Sequence, residues 1–257
     1  MEIIDCAYSI QGNGPSLFLI HGIGASRETW AKALPVLTPH FKVITYDLRG
    51  HGGSPMPSGK FGLDELVADL EALRVKLRIK EAHFAGHSLG GMIGPAYARL
   101  YAERVLSLGL LSTAAFRTEE DSAKVWGVVK AMKANGIAKI LPTLTARWFT
   151  DEFIRLHPEV VDARLRQVIA TDPEVFLNVF GIYAETEMGP WLNEVTVPSL
   201  ILTGEQDGGC NPRLNLQIDA VMENSKLVIL PKYKHSLLLE AGDVVAGEIL
   251  KFLIKKS

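Results

Sequence analysis

The stretch Gly86-His87-Ser88-Leu89-Gly90-Gly91 constrains this chain more than any other. It follows a short apolar run, residues 82–85, and opens a segment where Leu89, Met92, Ile93, Ala96, Tyr97 and Leu100 recur at helical spacing. A strand, a turn and a helix so close together demand a sharp reversal. Glycine two residues before and after Ser88 leaves room for that reversal, because a Cβ at either place would clash. The turn lifts the Ser88 hydroxyl into the open at the carboxyl edge of a sheet. It also aims the first amides of the next helix at the same space, where an oxyanion can be held. A glycine-rich turn holding a chance serine is the plain alternative, and the flanking strand and helix argue against it.

The first half of the chain supplies the sheet that such a turn needs. Residues 17–20, 42–46 and 105–111 are further apolar runs that end in turn or polar residues, as buried parallel strands do. Between them Leu63, Leu66, Val67, Leu70, Leu73 and Leu77 fall at helical spacing. Alternating strand and helix implies a parallel sheet covered on both faces. From about Thr118 to Gly189 strand-like runs vanish, while Trp126, Val129, Met132, Ile140, Leu144, Trp148, Phe149, Phe153, Leu165 and Val168 keep helical spacing. Residues 197–203 and 226–230 then resume the strand pattern, with helices expected near 213–222 and 244–254. A structureless loop of about 70 residues is improbable. The expectation is an α/β core from residues 1–117 and 190–257, with a helical cap at 118–189.

Composition narrows the class of molecule. The 257 residues are 47% apolar and 22% charged, with a formal net charge of −2, which offers no electrostatic case for a nucleic-acid or anionic-membrane partner. Met1-Glu2-Ile3-Ile4-Asp5 carries acids where a signal peptide needs bases, and no apolar run approaches the roughly 18 residues of a membrane helix. Cys6 and Cys210 are too few for a disulfide framework or a cysteine-rich zinc site. A soluble, cytoplasmic enzyme is the default expectation.

Serine at neutral pH is a weak nucleophile and needs a base, which needs an orienting acid. Two histidines follow Ser88. His157 falls in the expected cap and reads as a surface residue, whereas His235 follows the strand 227–230 and a short loop, at the same sheet edge as Ser88. His235 is the expected base. Asp207, in the glycine-rich turn after residues 200–203, is the expected acid, with Glu205 of the same turn as its competitor. His21-Gly22-Ile23-Gly24-Ala25-Ser26 follows another strand, and the amide of Ile23 with that of Leu89 would form a two-donor oxyanion hole. Asp47-Leu48-Arg49-Gly50-His51-Gly52-Gly53-Ser54 reads as a structural turn whose charges pair locally. Cys210 reads as an inert small residue, and Trp126, Phe149 and Phe153 as cap packing.

The order H-G-x-G, D-x-R-G-x-G-x-S, G-H-S-L-G-G, G-x-x-D and a late His resembles the α/β-hydrolase superfamily over essentially the whole chain. The resemblance implies a mostly parallel eight-stranded sheet, a cap over the site, a Ser88–His235–Asp207 triad and no need of a cofactor or metal. Relatives that are haloalkane dehalogenases or epoxide hydrolases carry Asp at the turn, where this chain has Ser88, so acyl transfer is expected. The segments Ala146-Arg147-Trp148-Phe149-Thr150, His157-Pro158 and Ala170-Thr171-Asp172-Pro173 resemble the cap of 3-oxoadipate enol-lactonases. That likeness implies that Arg147 and Trp148 line the pocket, with Arg147 pairing a substrate carboxylate. The loop His21-Gly22-Ile23-Gly24 departs from the more polar, serine-containing loop of those enzymes. A hydrolase of small carboxylic esters or enol-lactones is the leading expectation. Its rivals are a carbon–carbon bond hydrolase of aromatic ring-cleavage products and a slow-turnover ligand receptor, with perhydrolysis as a side reaction.

Overall fold

The structure is a computed structural model and describes residues 2–254. Seven strands form one sheet: β1 (Tyr8–Gln11), β2 (Ser16–Ile20), β3 (Lys42–Tyr46), β4 (Ala82–His87), β5 (Val105–Leu111), β6 (Ser199–Gly204) and β7 (Ser225–Leu230). Their order is β1-β3-β2-β4-β5-β6-β7, with β1 antiparallel to β3 and every other pairing parallel. The α/β architecture agrees with the sequence, but the sheet has seven strands among the described residues where eight were implied. Ahead of β2 the chain adds one short edge strand. The residues before it bury Ile4 and Cys6 in the core instead, with the Ile4 amide donating to Asp69 at 2.8 Å.

Side chains alternate across the strands, so each face has its own core. Phe18, Ile20, Ile44 and Phe84 point to one face and Leu17, Leu19, Val43 and Ala85 to the other. The first is covered by α2 (Leu63–Lys76), α3 (Gly90–Leu100) and α9 (Pro212–Val221), and the second by α1 (Leu34–Leu37) and α10 (Leu237–Ile254). Between β5 and β6 the chain forms five helices: α4 (Glu119–Asn135), α5 (Ile137–Trp148), α6 (Asp151–Leu156), α7 (Pro158–Ala170) and α8 (Pro173–Glu185). Their starts are written locally. Thr118 caps α4 with Asp121 completing a reciprocal pair, Thr150 caps α6, and Asp172 followed by Pro173 caps α8. Phe149 and Phe153 pack in a small core within this layer, and Trp126 packs against another. Among the described residues no helix is long and apolar enough to cross a membrane.

The turn after β3 departs from the expected local pairing. Asp47 binds Arg27 at 2.6 Å, and Arg49 binds Asp69 of α2 at 2.7 Å, each partner 20 residues away. Asp47 accepts the Gly53 amide within this eight-residue turn and the Arg27 amide from outside it, which turns the carboxylate toward Arg27 rather than Arg49. The Arg49–Asp69 pair is almost wholly buried, with side chains 1% and 2% exposed. Removing one partner of such a pair strands a buried charge and costs about 3–5 kcal/mol. Asp69→Ala should therefore lower the unfolding free energy by about that amount in urea denaturation. A loss below about 1 kcal/mol would mean that the carbonyls of Glu2 and Glu65, which Arg49 also binds, satisfy it alone.

Candidate active site

The turn between β4 and α3 is built around Ser88, whose φ is +57°. That left-handed conformation costs an L-residue roughly 1–2 kcal/mol, so its neighbours must hold it. The Ser88 amide donates to Leu111 O at 2.8 Å, and Ser88 O accepts from Thr113 Oγ1 at 3.0 Å. The glycines answer to close backbone contact. A Cβ on Gly86 would lie 2.0 Å from Gly90 O, and one on Gly90 would lie 2.4 Å from Ile20 O.

His235 sits in the loop between β7 and α10 and lines the same cavity as Ser88. Its Nδ1 donates to Asp207 Oδ2 at 2.7 Å, so Nε2 is the ring nitrogen not bonded to the carboxylate. Asp207 lies in the turn after β6 and is buried; its Oδ1 accepts the amides of Gly209 and Cys210 at 2.9 and 2.8 Å. Glu205 is exposed and accepts the Lys232 amide at 3.1 Å, so it is occupied away from the imidazole. Burial raises the Asp207 carboxyl, but the His235 charge, its hydrogen bond and the two amides outweigh that and hold it below the ordinary value. For His235, burial lowers the imidazole while the Asp207 charge and hydrogen bond raise it, and the net result lies well above 6.5.

Two features of this site carried no sequence signal of their own. His87, the variable residue of the serine turn, donates from Nε2 to the His235 carbonyl at 2.9 Å and so helps to seat the His235 loop. Burial lowers its ring to about 3, which keeps it neutral. Cys210 is buried beside Asp207, with its sulfur 3.3 Å from the Tyr183 hydroxyl. Asp207, Cys210 and His235 offer ligand atoms within 4.8 Å of one another. Both Asp207 oxygens and His235 Nδ1 are spent in hydrogen bonds, so the cluster is organised for proton handling.

The loop after β2 lies against the serine turn, and a Cβ on Gly22 would approach Ser88 Cβ to 3.0 Å. His21 Nε2 accepts the Leu48 amide at 2.9 Å and His21 Nδ1 donates to Gly22 O at 2.8 Å. His51 Nε2 accepts the Gly24 amide at 3.2 Å and His51 Nδ1 donates to Arg49 O at 2.9 Å. Burial lowers both rings, the pair that can keep this pattern only while neutral. The amides of Ile23 and Leu89 have no acceptor among the described residues.

The cavity beside Ser88 measures about 110 Å³ and is lined mainly by apolar side chains, among them Ile23, Leu144 and Phe180. Arg147 and Trp148, at the end of α5, both line it; Arg147 is exposed and Trp148 half-buried. Among the described residues Arg147 has no carboxylate within 4 Å. Arg164 of α7 also lines the cavity and stacks on Trp148, 5.1 Å from its ring centre. The helical periodicity of α7 gave no reason to choose Arg164 over its neighbours. His157, by contrast, is exposed and lies away from this cavity.

A profile described as the alpha/beta hydrolase fold matches residues 15–242. The chain is 31% identical over 198 residues to 3-oxoadipate enol-lactonase 2 of Acinetobacter baylyi, covering 77% of this chain and 73% of that one. The crystal structure of the enol-lactonase from Burkholderia xenovorans superposes with a TM-score of 0.90 at 26% identity, over 98% of this chain and 97% of that one. A thermophilic esterase from Thermogutta terrifontis, solved with malate bound, gives a TM-score of 0.88 at 26% identity over 98% and 94%. A strand-turn-helix serine, a histidine and a buried aspartate at one sheet edge, on this fold and with these relatives, lead to one conclusion: the chain belongs to the alpha/beta hydrolase fold family and is a hydrolase of that family.

Proposed function

We propose that this chain is a serine hydrolase of small carboxylated esters or enol-lactones, acting through an acyl-enzyme. The observation that carries the reading is the 2.7 Å bond from His235 Nδ1 to the buried Asp207, beside a serine held at φ +57° over the same cavity. Ser88 Oγ attacks the carbonyl carbon and passes its proton to His235 Nε2. Asp207 holds the ring with Nε2 facing the serine and stabilises the imidazolium that forms. The oxyanion takes the unpartnered amides of Ile23 and Leu89. His235 then gives the proton to the leaving oxygen, the carbon–oxygen bond breaks, and the acyl group stays on Ser88. In a lactone the leaving enol remains attached to that acyl chain. Water, deprotonated by His235, attacks the acyl carbon, and Ser88 leaves with the proton.

Arg147 supports a carboxylated substrate. It is a cation at the cavity rim without an acidic partner among the described residues, and the relatives named above include enol-lactonases and an esterase solved with malate. The apolar lining and modest volume suit a short acyl chain. The deciding measurement is the ratio of kcat/KM for 3-oxoadipate enol-lactone to that for p-nitrophenyl butyrate. A ratio far above one supports a carboxylate-reading lactonase; a ratio near or below one, with sustained turnover of the ester, leaves a general carboxylesterase.

Ser88→Ala should abolish turnover of either substrate while Tm stays within a few degrees, and a mutant that keeps the wild-type rate would sink the mechanism. His235 works as a base only when neutral, and Asp207 holds its pKa well above 6.5. The acid limb of the kcat/KM profile should therefore lie above pH 6.5. Asp207→Asn should cut the rate by roughly 10⁴-fold, and the limb of its residual activity should move below pH 6.5, because burial alone lowers the ring. Arg147→Ala should raise KM for carboxylated substrates selectively; an equal effect on neutral esters would remove Arg147 from substrate recognition.

A further inference from the structure

The loop after β2 contains two consecutive peptide planes that are each held by side chains. In a trans peptide the carbonyl and the N–H point in opposite directions, so fixing one end fixes the other. The Gly22 carbonyl is bound by His21 Nδ1, which leaves the Ile23 N–H directed away from that ring. The Ile23 carbonyl and the Gly24 N–H belong to the next plane. The core holds its N–H end, through His51 Nε2 at 3.2 Å. The carbonyl end is held by a different layer of the molecule: Arg164 Nη2, from α7, donates to Ile23 O at 2.8 Å.

Arg164 Nη1 binds the next carbonyl, Gly24 O, and one helical turn on Gln167 Nε2 donates to Ser26 Oγ at 2.8 Å. Three side-chain hydrogen bonds thus run from α7 to three residues of one loop, Ile23, Gly24 and Ser26. The guanidinium is supported behind by Trp148 and has no carboxylate within 4 Å among the described residues. Burial lowers it to about 10, so it remains a cation at neutral pH. A half-buried cation that spends its donors on two backbone carbonyls is placed to set the direction of that backbone.

We propose that Arg164 is a positioning residue for the reaction: from α7 it clamps the Ile23 and Gly24 carbonyls, so that Ile23, whose oxyanion-binding amide lies in the plane held by His21, is braced on its other side by the helical layer. The inference rests on the reading of Ser88 as nucleophile and of the Ile23 amide as oxyanion donor. Its consequence is that the oxyanion hole is braced by the layer that also covers the substrate. A substrate held under a displaced α7 would meet the serine without full stabilisation of the oxyanion.

The test uses the full chain and p-nitrophenyl butyrate, which has no carboxylate for Arg164 to bind. Arg164→Gln should lower kcat by roughly 10–100-fold with KM within about twofold. The affinity of a butyl boronic acid, which places a negative oxygen in the hole once bonded to Ser88, should fall in parallel, while that of the uncharged ground-state mimic butyramide should not change. Arg164→Lys, which keeps the charge and fewer donors, should recover part of the rate. Gln167→Leu, outside the cavity lining, provides a milder version: a smaller kcat loss in the same direction, readable even where an Arg164 variant folds poorly. Unchanged kcat in a folded Arg164→Gln would overturn the proposal. So would a defect confined to KM for carboxylated substrates, which would make Arg164 a substrate ligand. If Ser88→Ala still turns the ester over, the hydrolase mechanism falls and this inference with it; if Ser88→Ala is dead and Arg164→Gln is not slowed, only this inference falls.

Discussion

Where β4 turns into α3, backbone touches backbone with no space for a side chain, and the organisation of the site follows from that contact. A Cβ on Gly86 would sit 2.0 Å from Gly90 O, and one on Gly90 would meet Ile20 O at 2.4 Å. The two glycines bring three segments together: the end of β4, the first turn of α3 and the end of β2. The third matters as much as the first two. With Ile20 against Gly90 and Gly22 against Ser88 Cβ, the loop after β2 lies beside the serine. The hydroxyl is then carried on a strained residue at +57° that the neighbouring strand holds through Leu111 O and Thr113 Oγ1.

Around this contact buried polar groups do what a hydrophobic core cannot, which is to fix directions. His21 and His51 each accept a backbone amide on Nε2 and donate from Nδ1 to a carbonyl, a pattern available only to neutral rings. Arg49 and Asp69, paired at 2.7 Å, tie the turn that carries His51 to α2. The histidine loop is held comparably from the helical layer. The Ser236 amide donates to Trp148 O at 2.8 Å, and Glu240 accepts from both the amide and the hydroxyl of Thr150. The helical layer therefore grips the site on two sides, at the loop after β2 through α7 and at the His235 loop through the junction of α5 and α6.

Much of the fold was legible because periodicity and glycine spacing are local properties. The strands at 42–46 and 105–111 and the helix beginning at Leu63 stand where the apolar pattern puts them, and the turn at Ser88 stands where its glycines require. The edge strand Tyr8–Gln11 was not legible, since a four-residue exposed strand has no buried face to impose alternation. The pairing of Arg49 with Asp69, and of Asp47 with Arg27, was not legible either. Charge alone names no partner when the partner is 20 residues distant and on another element.

The sequence by itself determined the chemistry on offer: a serine at a strained strand-to-helix turn, followed in order by an aspartate in a glycine-rich turn and a late histidine. Those residues are set by turns whose geometry is decided within a few positions. Only the tertiary structure shows which carboxylate meets the imidazole: Asp207 is buried against it and Glu205 lies in solvent. It likewise gave His87 a structural partner in the His235 carbonyl, and singled out Arg164 from the other basic residues of the helical layer. The physical reason is reach. A hydrogen bond acts over about 3 Å, and which groups come that close at a sequence separation of 141 depends on how helices and loops pack, a quantity that no local pattern encodes.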